Sequence, residues 1–518
     1  MPGKKITAGP TEARANHFFP WLVLVLCLVG ASFQIWVLWF TEIPLGVSGE
    51  WVWPRVSQRL GSLLNLFPAV IAAGLLVGYL VWSTRQEQKK PRTFFWLAGL
   101  IVLGLGWVVA VQSVTPLGGG LGRGVFVMFY PRTSGYYHQA RYEAHNLPRF
   151  LSEYEKSISD QSNPENYLHI GTHPPGLTTL HRVLIYECNR NKQLSSTVMK
   201  TAPESVRSAL QFISQEQARS GRPLTEGESA ALWLSVLITQ FVSVFTVVPL
   251  YMLVSQFGST STARMIAGMW LLVPAMIIFL PKSDAAFPCL AMFLQLFWVK
   301  ALEKNSTLWG VLTAILFVFA ASLSLAFFTV GIILFLQMMY SFSRNRTGLH
   351  PTIGGIIAGV SYVGLLYYFI DVNLFTVWIQ NFKNHSVFYD HNSRTYLDWL
   401  YVNLLEGSFA IGVPITICGI LGAAFLVKKE YREQIWIFSG LLIWAVLWAS
   451  GKNMGEAARL WIFLMPYALL AAAPVIKSLM TANGTWQRRV IPVALLTVQA
   501  IVCLLTAIQV DGFGFTQL

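Results

Sequence analysis

The chain has 518 residues, of which 54% are hydrophobic and 12% charged, and its mean hydropathy is +0.53. That is about half the charge of an average globular domain, too little to coat a water-soluble surface, so lipid is the solvent for most of the molecule. The net charge of +13 has two readings: the lysine and arginine excess of cytoplasmic loops, or attraction to anionic head groups and a phosphate-bearing substrate. Nothing in the composition points to a nucleic-acid partner.

Residues 1–20 form a polar, basic segment, read as cytoplasmic. The apolar run that follows is too long for the core of a signal peptide and lacks a small-residue cleavage site. It reads as a retained first helix. Since a span needs roughly twenty apolar residues, candidates fall at 21–41, 62–83, 94–113, 229–254, 265–281, 285–302, 307–323, 325–341, 352–371, 402–427, 434–450, 459–477 and 490–511. The predicted fold is therefore an all-α polytopic membrane protein of about 13 transmembrane helices, one unit over 21–511 with a short tail at 512–518. Cys27, Cys188, Cys289, Cys418 and Cys503 are scattered without metal-ligand spacing.

Lysine and arginine in short loops predict the orientation. With the N-terminus cytoplasmic, eighteen fall in inside segments and seven in short outside ones. The large loops 42–61, 114–228 and 371–401 then lie outside. Within 114–228, amphipathic stretches at Leu147–Ile158 and Val198–Arg219 read as interfacial helices.

Four outside segments hold polar residues at the membrane edge, where charge is a functional candidate by default. Glu50, in Ser48-Gly49-Glu50-Trp51-Val52-Trp53-Pro54-Arg55, is a carboxylate between tryptophans: a proton acceptor whose desolvation raises its pKa, or a solvated neighbour of an aromatic anchor. His173, in His169-Ile170-Gly171-Thr172-His173-Pro174-Pro175-Gly176, stands where Pro-Pro starts a helix. Such a start attracts anions, or the histidine merely caps it. Lys282 and Asp284, in Pro281-Lys282-Ser283-Asp284, meet a phosphate or simply close a turn. Glu456 and Arg459 share a helix face at spacing i, i+3. They form either a structural ion pair or an arginine fork held ready for phosphate. The loop 371–401 adds Lys383, His385, Asp390, His391 and Arg394.

Taken together, the acid in the first outside loop, the long second outside loop, Thr172–Gly176, the Pro-x-x-Asp turn and the late Gly-Glu-x-x-Arg resemble the GT-C glycosyltransferases. The likeness is to the bacterial ArnT-like and Rgt-like branch related to protein mannosyltransferases. Many members carry an acidic pair in the first loop; here Glu50 has no adjacent acid, and Glu42 is the other candidate. The resemblance implies transfer of a sugar, with inversion, from a polyprenyl-phosphate donor to a lipid, glycan or protein acceptor outside the bacterial inner (plasma) membrane. It casts Glu50 as base and Arg55, His173, Lys282, Asp284, Arg394, Glu456 and Arg459 as substrate-binding residues, with no cofactor required and a divalent cation left open. A transporter or flippase of lipid-linked glycans, and a glycan polymerase, are the competing readings.

Overall fold

The spans announced by hydropathy are helical in the computed structural model, which describes residues 10–56, 63–84, 92–115, 120–160, 170–345, 347–427, 434–482 and 484–513 and is 81% helix. Nine helices among the described residues are long and apolar enough to cross a membrane: Phe18–Phe40, Leu64–Thr84, Thr93–Val114, Glu226–Val254, Ser283–Glu303, Ala326–Arg344, Leu349–Ile370, Ile462–Met480 and Trp486–Gln509. The protein is an all-α polytopic membrane protein. His169, part of the N-terminal segment and most of the C-terminal tail lie outside the described residues.

The other four predicted spans differ from a straight twenty-residue rod, each for a local reason. The segment 265–281 is two short helices, Thr260–Trp270 and Pro274–Ile278, because Pro274 has no amide hydrogen to continue the ladder and starts a new one instead. The segment 402–427 bends by 107° between Tyr396–Ile411 and Val413–Leu426, where Gly412 takes φ 93° ahead of Pro414. Thr307–Leu323 and Ile435–Ala449 are apolar but only 17 and 15 residues long. At 1.5 Å per residue the shorter one reaches about 22 Å, less than the ~30 Å hydrocarbon core.

Both breaks expose backbone carbonyls that hydrocarbon cannot hydrate. One side chain closes them: the Gln499 amide donates to Leu272 O at 2.8 Å and to Ile411 O at 3.1 Å. Gln499→Leu is therefore expected to destabilise the fold by about 1–3 kcal/mol, read as a drop in melting temperature of the purified protein. Other buried amides tie helices in the same way. Gln295 and Gln337 pair with each other, Tyr467 donates to Gln295, and Gln337 donates to Ser439.

Burial sorts the helices. The Ile462–Met480 helix is 89% buried, whereas Leu349–Ile370 is 6% buried and turns Ile356, Ile357, Val360 and Tyr368 outward, as a peripheral lipid-facing helix would. Small residues permit the tightest crossing: a β-carbon on Gly422 would sit 1.9 Å from the Ala471 carbonyl oxygen.

The described residues between Val114 and Glu226 pack as helices Arg123–Phe129, Tyr136–Tyr142, Leu147–Ser159, Gly176–Arg190, Lys192–Lys200 and Glu204–Ala218. The expected stretch Leu147–Ile158 is present, while Val198–Arg219 is two helices separated at Ala202-Pro203. Val206, Leu210, Ile213, Ile185 and Tyr137 form a second core against Ala230–Val236. Buried Arg141 holds this layer to the bundle, pairing with Glu228 at 3.0 Å and donating to the carbonyls of Arg222 and Pro223.

Candidate functional site

The chain leaving the first helix folds back as a small hairpin that the sequence did not announce, Gly46–Val47 against Trp51–Val52. Arg55 clasps its base. Its guanidinium donates to the carbonyls of Val37 and Ile43 at 3.0 and 2.7 Å, its backbone bridges to Val510, and the Asp511 amide donates to Pro54 O at 2.9 Å. A residue expected to bind substrate is thus engaged in joining the first loop to the C-terminal segment, which carries Gly512 and Phe513 to the same place.

Glu50, at the hairpin turn, is held from the neighbouring helix. Its carboxylate accepts from the Thr395 amide and hydroxyl and from the Trp399 indole at 2.7 Å. Partial desolvation favours the neutral acid, but these hydrogen bonds, with Arg394 nearby, outweigh it and hold the carboxyl below its ordinary range. That is the opposite of the raised pKa expected from a carboxylate between tryptophans. The shift comes from Thr395 and Trp399, which lie 345 and 349 residues away in sequence.

The facing wall is the turn 451–456. Gly451 and Gly455 have positive φ, and so do Asn453 at 63° and Glu456 at 57°. Each non-glycine residue there costs about 1–2 kcal/mol, and such strain persists only where the surroundings impose it. They do: the Trp461 indole donates to Asn453 Oδ1 at 3.1 Å, the Met454 amide to the Tyr389 hydroxyl at 2.8 Å, and the Ala458 amide to Glu406 at 2.8 Å. The turn presents Glu456 and Arg459 as a 2.8 Å ion pair. Burial works against the charge of Arg459, but Glu456, Asp284 and Tyr136 overcome this and hold the guanidinium above its ordinary range.

Lys282 enters between these walls from the turn before the Ser283–Glu303 span. It is buried, 9% exposed, with its ammonium 5.9 Å from the centre of the Phe513 ring. Burial, reinforced by Arg459, pushes it down to about 7 from the usual 10.5.

Hairpin, turn and lysine enclose a cavity of about 680 Å³ lined by Gly49–Pro54, Arg132, Thr133, Lys282, Glu456, Arg459, Gly512 and Phe513. Three cations and two carboxylates therefore meet at one end of an apolar bundle. No protein-family model matches this chain, and no curated protein matches it. Such a grouping suits a phosphate: Arg459 offers a fixed fork and Lys282 a compact charge, in a site whose partial dehydration strengthens both.

The remaining sequence candidates sit around the rim. Asp284, in the turn Ser283–Ala286, acts electrostatically on Arg459 and Tyr136. Arg394 lies beside Gly455 and Glu50. His173 meets the edge of Tyr136, with ring centres 5.6 Å apart, so it reaches the cluster through that tyrosine. Its backbone is fixed by residues the sequence did not single out. The Asn381 amide donates to Gly171 O and His173 O at 2.8 and 3.0 Å, Asn384 donates to Gly171 O, and the Tyr154 hydroxyl to His173 O. The next helix begins at Gly176, where a β-carbon would meet the Ser322 carbonyl oxygen at 2.3 Å; only glycine allows that approach. Asn381→Ala is expected to free these carbonyls at a cost of about 1–3 kcal/mol, seen as faster proteolysis of the 170–176 turn.

Sequence reasoning also missed Arg132, Tyr136, Phe513 and Glu406. Glu406 carried a usable signal, being an acid inside the apolar run Val402–Val427.

Proposed function

We propose that this chain is a membrane glycosyltransferase of GT-C type, moving a sugar from a polyprenyl-phosphate donor to an acceptor at the extracytoplasmic face of a bacterial plasma membrane. The observation that carries the reading is the convergence of Lys282, Arg459 and Arg132 on one cavity at the end of a lipid-embedded bundle. In this reading the donor phosphate sits between Lys282 and Arg459, and these cations take up the negative charge that grows as the bond to the anomeric carbon breaks. Glu456 and Asp284 orient Arg459, while His173 and Tyr136 close the side toward the 114–228 layer. Attack from the face opposite the phosphate inverts the anomeric centre. In this reading the two short and two broken apolar segments are also crossings, which makes thirteen spans, and the lysine and arginine bias of the short loops sets the N-terminus in the cytoplasm.

A transporter would place ionisable groups near the helix midpoints. The amides Gln295 and Gln337 bond to each other and to Tyr467 and Ser439, and Glu406, an acid in the broken 396–426 segment, bonds to Trp53 and Ala458 beside the phosphate cavity, which favours the transferase. The test uses purified protein in nanodiscs, given a panel of radiolabelled polyprenyl-phosphate hexoses and pentoses together with membrane extract as acceptor. The reading expects release of polyprenyl phosphate with at least one donor. No release from any donor, with the protein folded, counts against it.

A further inference from the structure

A second cavity adjoins the first, with Trp53 in the wall of both. It holds about 200 Å³, and its lining is apolar, Leu38, Leu405, Phe409 and Val510 among it, with Glu406 as the one ionisable residue among the described residues. Glu406 is asymmetrically bonded. Its Oε1 accepts from the Trp53 indole and the Ala458 amide, both at 2.8 Å, whereas Oε2 is buried with no hydrogen-bond partner. A buried carboxylate oxygen without a donor costs stability, and sites keep such a group where a ligand completes it. Glu50 is the reverse case, its oxygens accepting from Thr395 and Trp399.

The surface beside this cavity is apolar and exposed: Ile43 in its wall is 45% exposed, and Phe40 and Tyr401, close in sequence to the wall residues Ile43 and Val402, are 75% and 73% exposed. A ligand entering there is apolar along its length and needs a hydroxyl to satisfy Oε2. We infer that the apolar cavity receives a membrane-borne alcohol, the hydroxyl of a lipid acceptor, and that Glu406 is the base that takes its proton. This rests on the transferase reading and narrows its acceptor to a lipid hydroxyl. As the acceptor oxygen bonds to the anomeric carbon, the bond from that carbon to the phosphate oxygen breaks. The electron pair leaves with the phosphate, the hydroxyl proton moves to Oε2, and Glu406 later gives it up to water in the polar cavity. The geometry suits this division: Ala458, bonded to Glu406, is the neighbour in sequence of Arg459, so base and phosphate site share one turn.

The test combines photolabelling and turnover in nanodiscs. Hexadecanol carrying a diazirine is expected to label Leu405–Phe409 and Val510 in wild type, with competition from hexadecanol but not from hexadecane. Ala410→Leu, which fills the cavity, is expected to abolish labelling there. Glu406→Gln, with an oxygen still able to accept from Ala458, is expected to keep its melting temperature and cationic-site binding of polyprenyl phosphate but lose transfer to a lipid alcohol about 10²–10⁴-fold; Glu406→Asp retains part of it. Undiminished transfer in Glu406→Gln, or label placed elsewhere, overturns the inference and leaves the transferase standing. A wild type that cleaves no donor while hexadecanol labels the cavity removes the transferase reading and the base, and leaves the alcohol site.

Discussion

Arg459→Met is expected to slow release of polyprenyl phosphate by about 10²–10³-fold with little change in fold. Methionine keeps most of the apolar stem and removes the guanidinium that pairs with Glu456 at 2.8 Å. In the proposed reaction that guanidinium meets charge which is larger in the transition state than in the donor, so the loss should fall mainly on kcat. Arg459→Lys is expected to recover only part of the rate, since an ammonium is a point charge and cannot reproduce a two-toothed contact. The measurement is the single-turnover rate with labelled donor. A loss confined to KM would mean Arg459 binds the donor without assisting bond cleavage.

The second large effect separates stability from function. Lys282→Met is expected to stabilise the empty protein while reducing donor cleavage about 100-fold. The sign follows from the pKa. Burial lowers Lys282 to about 7 from 10.5, so the unfolded chain holds this proton more tightly than the folded one and the amine opposes folding. That opposition is complete below pH 7, shrinks as pH rises between 7 and 10.5, and is gone above 10.5. Methionine therefore adds roughly 3–5 kcal/mol below pH 7 and nothing above 10.5, which unfolding curves across that pH range can read. Binding of polyprenyl phosphate should in turn take up a proton at pH 8, visible as a buffer-dependent heat in calorimetry. A stability gain that does not change with pH would show that Lys282 is not held by desolvation.

Most of the bundle was legible because apolar length is a strong signal: nine predicted spans appear as single helices with ends close to those expected. The signals for the breaks were also present in Pro274 and in Gly412 before Pro414, but hydropathy averages over them. The hairpin at Gly46–Val52 was not legible, since two residues per strand leave no period to detect. Within the site, the charged turn residues Lys282, Glu456 and Arg459 stood out as costly at a membrane edge and share the cavity with Glu50. Arg55 looked equivalent from sequence and is instead a backbone clasp. That difference is set by where Val37 and Ile43 point their carbonyls. Glu406 was hidden by its apolar neighbours, and the hydrogen bonds that lower Glu50 depend on Thr395 and Trp399, whose proximity only the fold creates.

Calorimetric titration of nanodisc-held protein at pH 6.5, with polyprenyl phosphate against the uncharged polyprenol, tests the cationic cavity most directly. Saturable binding of the phosphate, weakened at least tenfold in both Arg459→Met and Lys282→Met, with weaker binding of polyprenol that neither variant changes, is the predicted result. Equal affinity for the alcohol and the phosphate, or unchanged affinity in both variants, would contradict it.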